Sequence, residues 1–137
     1  MTDAARIDYD FAILRVVPRV HLGAYANVGV VLHARTREYL MLRTVTEPAR
    51  IARLAPGVDA LLLARYLQSC EAICRGDESA GAVALAPPSE RFHWLTAPRS
   101  DVLQSSPVHE GWCTNLDVEV SNLFEAYVTA GVVLSFG

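Results

Sequence analysis

A chain of 137 residues that is 52% apolar and only 20% charged can bury a core as one domain, and its composition argues against disorder. Its 12 basic residues face 15 carboxylates for a net charge of −3 at pH 7, and no basic run occurs; both facts speak against an electrostatic grip on nucleic acid. No apolar stretch approaches the roughly 18 residues of a membrane span, and the acidic opening "MTDAARIDYD" is unlike a signal peptide, so the protein is expected in the cytoplasm, away from membranes.

The first element is "YDFAILRVVP" (9–18), an apolar and β-branched run ended by proline, which predicts a strand. "ANVGVVLHAR" (26–35) and "EYLMLRTV" (38–45) predict a second and third strand, joined as a hairpin through "RTR" although no Asn-Gly signature is present. Thr46 is the expected cap of a short helix with Pro48 in its first turn, stopped by "APG" at 55–57. Asp59 opens a longer helix. On it Leu63, Tyr66, Leu67, Cys70, Ile73 and Cys74 recur at intervals of three and four, and Gly76 can end it in a left-handed conformation.

Residues 76–90 are small, polar and proline-bearing, and read as a flexible surface loop within one domain spanning 1–137. "SERFHWLT" predicts a short helix stopped by Pro98, and "DVLQSSPV" a strand that its proline confines to an edge or a bulge. Asn115 is the expected cap of a last helix striped with Leu116, Val120, Leu123, Phe124 and Tyr127. "GVVLSF", in the tail 129–137, either adds a strand or packs against the body. The pattern is α+β: a mostly antiparallel sheet with helices packed on one face. No glycine-rich phosphate loop is present.

The densest polar stretch is "FHWLTAPRSDVLQSSPVHEGW" (92–112). Ser100, Ser105, Ser106 and His109 lie close together in sequence, but catalytic triads draw their members from distant positions and no G-x-S-x-G elbow occurs. Its plainest reading is a polar edge that satisfies backbone groups left by Pro107; recognition of a ligand or partner comes second, and nucleophilic catalysis third. An extended 102–109 places Ser105 and His109 on one face, with Gln104 and Ser106 on the other. Arg99 stands where it can neutralise a helix C-terminus or hold a carboxylate or phosphate.

Arg15, amid apolar neighbours in the first strand, must snorkel to an edge or find an anion, for which Asp8, Asp10 and Glu110 are the internal choices. Asn27 is suited to bonding turn backbone, and Trp112 and Tyr25 to anchoring a protein partner. His21, His33 and His93 show no ligand spacing. Cys70 and Cys74 share a helix face without a second metal-ligating pair, so buried thiols are expected and neither a metal nor a cofactor.

Three segments, "YDFAILRVVPRV", "ANVGVVLHARTREYL" and "RFHWLTAPRSDVLQSSPVHEG", resemble the bacterial domain-of-unknown-function family numbered 3037, over residues 8 to 128. Matched position by position, the family-like residues are Arg15, Pro18, Asn27, Gly29, Leu95, Thr96, Arg99, Ser100, Gln104, Ser106, Pro107, His109 and Gly111. His21-Leu22 and the tail "TAGVVLSFG" depart from it. The resemblance carries no activity. It implies a genomic setting, since such proteins are commonly encoded beside larger ones resembling HipA-type serine/threonine kinases.

The expectation that follows is a small non-catalytic accessory subunit that binds a larger, co-encoded protein of HipA-like kinase fold, in a biosynthetic or regulatory pathway. Its binding residues would come from Arg15, Asn27, Arg99, Ser100, Gln104, Ser106, His109 and Trp112. The competing expectation is a stand-alone enzyme acting on an anionic metabolite through Arg99 and His109.

Overall fold

The computed structural model describes residues 5–19, 24–97 and 102–130. Strand β1 (Ile7–Arg19) lies at the middle of a five-stranded antiparallel sheet. It pairs with β2 (Ala24–Ala34) on one side, and β3 (Tyr39–Thr44) pairs with β2 beyond it. Two short strands, β4 (Leu103–Ser105) and β5 (His109–Cys113), share the other side of β1. The expected hairpin turn forms as a 3-10 turn at Arg35–Arg37, and Glu38 takes the left-handed conformation (φ 50°) that Asn-Gly would have supplied.

The α+β class is observed, with a refinement in how the layers are arranged. Along β1 the even-numbered side chains Ala12, Leu14 and Val16 point to one face, and Tyr9, Phe11 and Ile13 to the other; all are buried. Helices α2 (Ala60–Cys74) and α3 (Pro88–Thr96) cover the even face, with α1 (Pro48–Leu54) packed against α2. Helix α4 (Leu116–Phe124), continued by a π turn at Glu125–Thr129, covers the odd face, where one-sided packing was expected. The reason is legible in β1: its apolar run is continuous, as in strands buried on both faces.

Local chemistry sets the helix ends. Asp59 accepts the Leu62 N–H at 3.0 Å and Asn115 the Val118 N–H at 3.1 Å, each as a side-chain cap. Gly76 (φ 73°) closes α2 with its N–H on the Ile73 carbonyl, while Asp77 N–H reaches the Ala72 carbonyl, a Schellman pair. In α1 the cap position belongs to Glu47 rather than Thr46, and no side chain caps it: the Arg50 N–H turns to the Glu47 carbonyl at 3.0 Å, and Pro48 at the first helical position has no N–H to satisfy.

Residues 76–90 do not form an irregular loop. Asp77 accepts both the N–H (3.0 Å) and the hydroxyl (2.7 Å) of Ser79, and 3-10 turns follow at Glu78–Ala80 and Ala82–Leu85 before α3 begins. The expected strand at "GVVLSF" lies outside the described residues.

Helix α4 is fastened to the sheet by side chains from three positions. Tyr9 donates to the Glu119 carboxylate, Tyr39 to Asp117 at 2.7 Å, and Arg43 to the Ser121 hydroxyl at 2.8 Å while its guanidinium covers the Phe124 ring. Burial first, then the carboxylate partner, pushes both phenols well above their ordinary range, so they remain neutral donors. Tyr9 reaches Glu119 by lying across Gly111, its cross-strand partner, as aromatic side chains do over strand glycines. A Cβ on Gly111 would stand 2.6 Å from the Tyr9 ring. Gly111→Ala should therefore lose about 2 kcal/mol of stability in urea unfolding, from overpacking and a displaced Tyr9; an unchanged midpoint would show that the ring is free to move aside.

Candidate functional site

Residues singled out in the sequence assemble on the odd face of the sheet. Arg15 in β1 stands opposite Asn27 in β2 and Gln104 in β4, so the three form a row across adjacent strands. The Arg15 guanidinium lies 4.4 Å from the Tyr25 ring centroid. Its Nε is buried and meets no hydrogen-bond acceptor among the described residues. Asn27 donates from Nδ2 to the Tyr127 carbonyl at 2.9 Å, tying the π turn to the sheet. Further along, His109 stands opposite Phe11 with ring centroids 5.5 Å apart, and Phe11 in turn stacks on Tyr127 at 6.2 Å.

The row contradicts two readings of the sequence. Asp8, Asp10 and Glu110 do not pair with Arg15, because residues of even number on β1, and the β5 residues opposite them, project from the opposite face. Asp8 is held instead by Arg6, Nε to Oδ1 at 3.0 Å. Nor do Ser105 and His109 share a face. Three residues, Ser106 to Val108, oppose only Ala12 and Ile13, so a bulge moves His109 onto the side of Gln104.

Ser106 builds that bulge. Its N–H donates to the Ile13 carbonyl at 2.8 Å, and its Oγ accepts the Ile13 N–H at 2.9 Å and donates to the Pro107 carbonyl at 2.9 Å. The side chain is buried, and its proton is committed to a carbonyl, an arrangement that holds backbone and leaves no nucleophile. The polar-edge reading of this residue thus describes what it does. Arg99 and Ser100 lie outside the described residues.

Trp112 is separate from this group. It stands opposite Asp8 on the even face, 55% exposed, with the Arg6 guanidinium 5.0 Å from its ring centroid. It borders an open groove of about 810 Å³ whose lining includes Asp8, Asp10, His33, Phe92 and Glu110. His33 is buried and stacks on Phe92 with centroids 5.2 Å apart; desolvation holds its pKa below the usual imidazole value. The sequence reading missed this groove because it missed β5. The available signal was alternation: Asp8 and Asp10 in "DYD" against Glu110 and Trp112 in "HEGWC".

All three cysteines are buried free thiols. Burial pushes Cys74 up to about 11 and raises Cys113 as well, so neither is a ready nucleophile. Among the described residues no group of three His, Cys, Asp or Glu side chains is placed to hold a metal ion. No helix among them is long and apolar enough to cross a membrane.

The family described as "Protein of unknown function (DUF3037)" matches residues 11–128. The chain belongs to this family. No curated protein and no solved structure matches it. Within the DUF3037 stretch fall both the Arg15–Asn27–Gln104 row and the Ser106 bulge, while Asp8 and Asp10 of the groove precede it.

Replacing Ser106 by alanine strands the buried Ile13 N–H. Urea unfolding of Ser106→Ala should show a loss of about 1–3 kcal/mol. A loss under about 0.5 kcal/mol, within the range of ordinary surface substitutions, would show that the hydroxyl is not what holds the bulge.

Proposed function

We propose that this DUF3037 protein is a small accessory subunit that docks on a larger, co-encoded enzyme of HipA-like kinase fold and has no catalytic centre of its own. The observation that carries the reading is the outer side of the β4–β5 edge. Trp112 there is 55% exposed, Val108 48% and Val102 38%, on or beside β4 and β5, whose strand partner among the described residues is β1. Exposed large apolar side chains gathered along one edge mark a contact surface for another protein. Tryptophan is also the residue type most enriched among interface anchors.

Further support comes from the polar residues that would otherwise suggest chemistry. Ser106 is occupied with backbone, Asn27 with the π turn and His109 with the Phe11 ring. The partner's kinase-like character follows from the family's genomic setting, and with it a role in small-molecule biosynthesis or regulation.

A second reading, a stand-alone enzyme acting on an anionic metabolite through Arg99 and His109, is favoured by one observation. Arg15, on the same face as His109, has a buried Nε with no acceptor among the described residues. Turnover by the isolated chain that disappears in the Arg99→Ala, His109→Ala double variant would establish it.

The test of the first reading is co-expression with the product of the neighbouring gene. A stable complex is expected, its Kd raised at least about tenfold by Trp112→Ala, as for the truncation of an anchor residue. A sharply melting monomer that captures no neighbour would contradict the proposal.

A further inference from the structure

We infer that the Arg15 guanidinium, on the odd face of the sheet, is the receiving group of a binding site for a carboxylate. Arg15 makes no hydrogen bond and no ion pair among the described residues, and its Nε is buried away from water as well. A cation partly withdrawn from water and left without an anion costs stability, a cost that a bound anion offsets. The site lies on the face away from Trp112, so this inference and docking at the β4–β5 edge fail separately.

The acids nearest in the fold are turned away or already engaged. Asp8, Asp10 and Glu110 project from the other face of β1 and β5. On the odd face Asp117 and Glu119 of α4 are held by the phenols of Tyr39 and Tyr9. The cross-strand neighbours of Arg15 are Asn27 and Gln104, both uncharged amides.

The way the guanidinium is presented is a second sign of a ligand. It lies over Tyr25 at 4.4 Å from the ring centroid, so its flat side is taken by the ring and its N–H edge is left for a planar anion. Tyr25 is itself 37% exposed and Arg15 is only partly buried, which leaves the site open to an incoming molecule. A carboxylate matches that edge with two parallel hydrogen bonds to the terminal nitrogens. Its single charge also matches the single cation. A phosphate monoester brings about 1.5 to 2 negative charges, part of which would stay unmatched beside two neutral amides.

The carboxylate can belong to a free acid or to an acidic side chain of another protein, and two probes separate these sources. Propionate carries the glutamate side-chain group alone, and acetyl-Gly-Glu-Gly-amide carries it on a peptide. The Nε–H resonance of Arg15, identified by its loss in Arg15→Lys, is followed by NMR in the full chain during titration with each. Saturable shifts are expected from both. Tighter binding of the peptide identifies a protein source, and equal or tighter binding of propionate a small-molecule source.

Arg15→Met keeps the apolar stem and removes the cation. Read at the backbone amides of Tyr25 and Gln104, it should weaken both probes at least about tenfold, as for the loss of a charge-assisted pair. Should it fail to fold, Arg15→Lys, which keeps the charge without the fork, should weaken binding at least about threefold. No saturable shift from either probe, equal shifts from the neutral isostere propionamide, tighter binding of methyl phosphate than of propionate, or affinity unchanged in the variants would overturn the proposal.

Discussion

Ile13 exchanges two hydrogen bonds with Ser106, one through the serine backbone and one through its hydroxyl, and the organisation of the sheet edge follows from that contact. Pro107 cannot donate to a ladder, so an unbroken strand from residue 103 to 113 would leave a gap opposite β1. The serine hydroxyl fills the gap while one extra residue is accommodated. β4 and β5 can then pair with the same strand in registers that differ by one. Because a one-residue slip exchanges the two faces of a strand, this bulge decides which side chains of the polar stretch meet.

The result is a separation of chemistries by a layer one strand thick. Beneath α4 lies the row of Arg15, Asn27 and Gln104, with His109 stacked on Phe11 beside it. On the opposite face the acids Asp8, Asp10 and Glu110 gather around Trp112 and His33. Buried apolar side chains of β1 and β2 fill the space between, with Ala12, Val16, Val30 and Val31 wholly inaccessible to water. Charges held apart by such a layer cannot neutralise one another, so each face must satisfy its own or meet a ligand.

Most of the architecture was legible in the sequence, for physical reasons that can be named. β-branched apolar runs marked β1 and β2, spacings of three and four marked α2, and Asp59, Gly76 and Asn115 act at the helix ends where their chemistry placed them. The polar stretch also drew attention to the residues that pack together, and Ser106 does satisfy backbone beside Pro107. What escaped was β5. His109, Gly111 and the charged Glu110 have poor strand propensity, and only tertiary contact, Tyr9 lying over Gly111, makes the segment extended. Without β5 the bulge is invisible, and the faces of Ser105, His109 and the acids come out wrongly.

Ser106 and Asn27 hold the sheet edge and the π turn, and on the proposed function the outward side of β4 and β5 meets another molecule. Hydrogen–deuterium exchange of the chain, alone and with its co-encoded neighbour, examines that claim at the residues concerned. Added protection of the outward amides of Leu103–Ser105 and His109–Cys113 is the result the account requires. Protection confined to α2 or α4, with the β4–β5 edge exchanging as before, would contradict it.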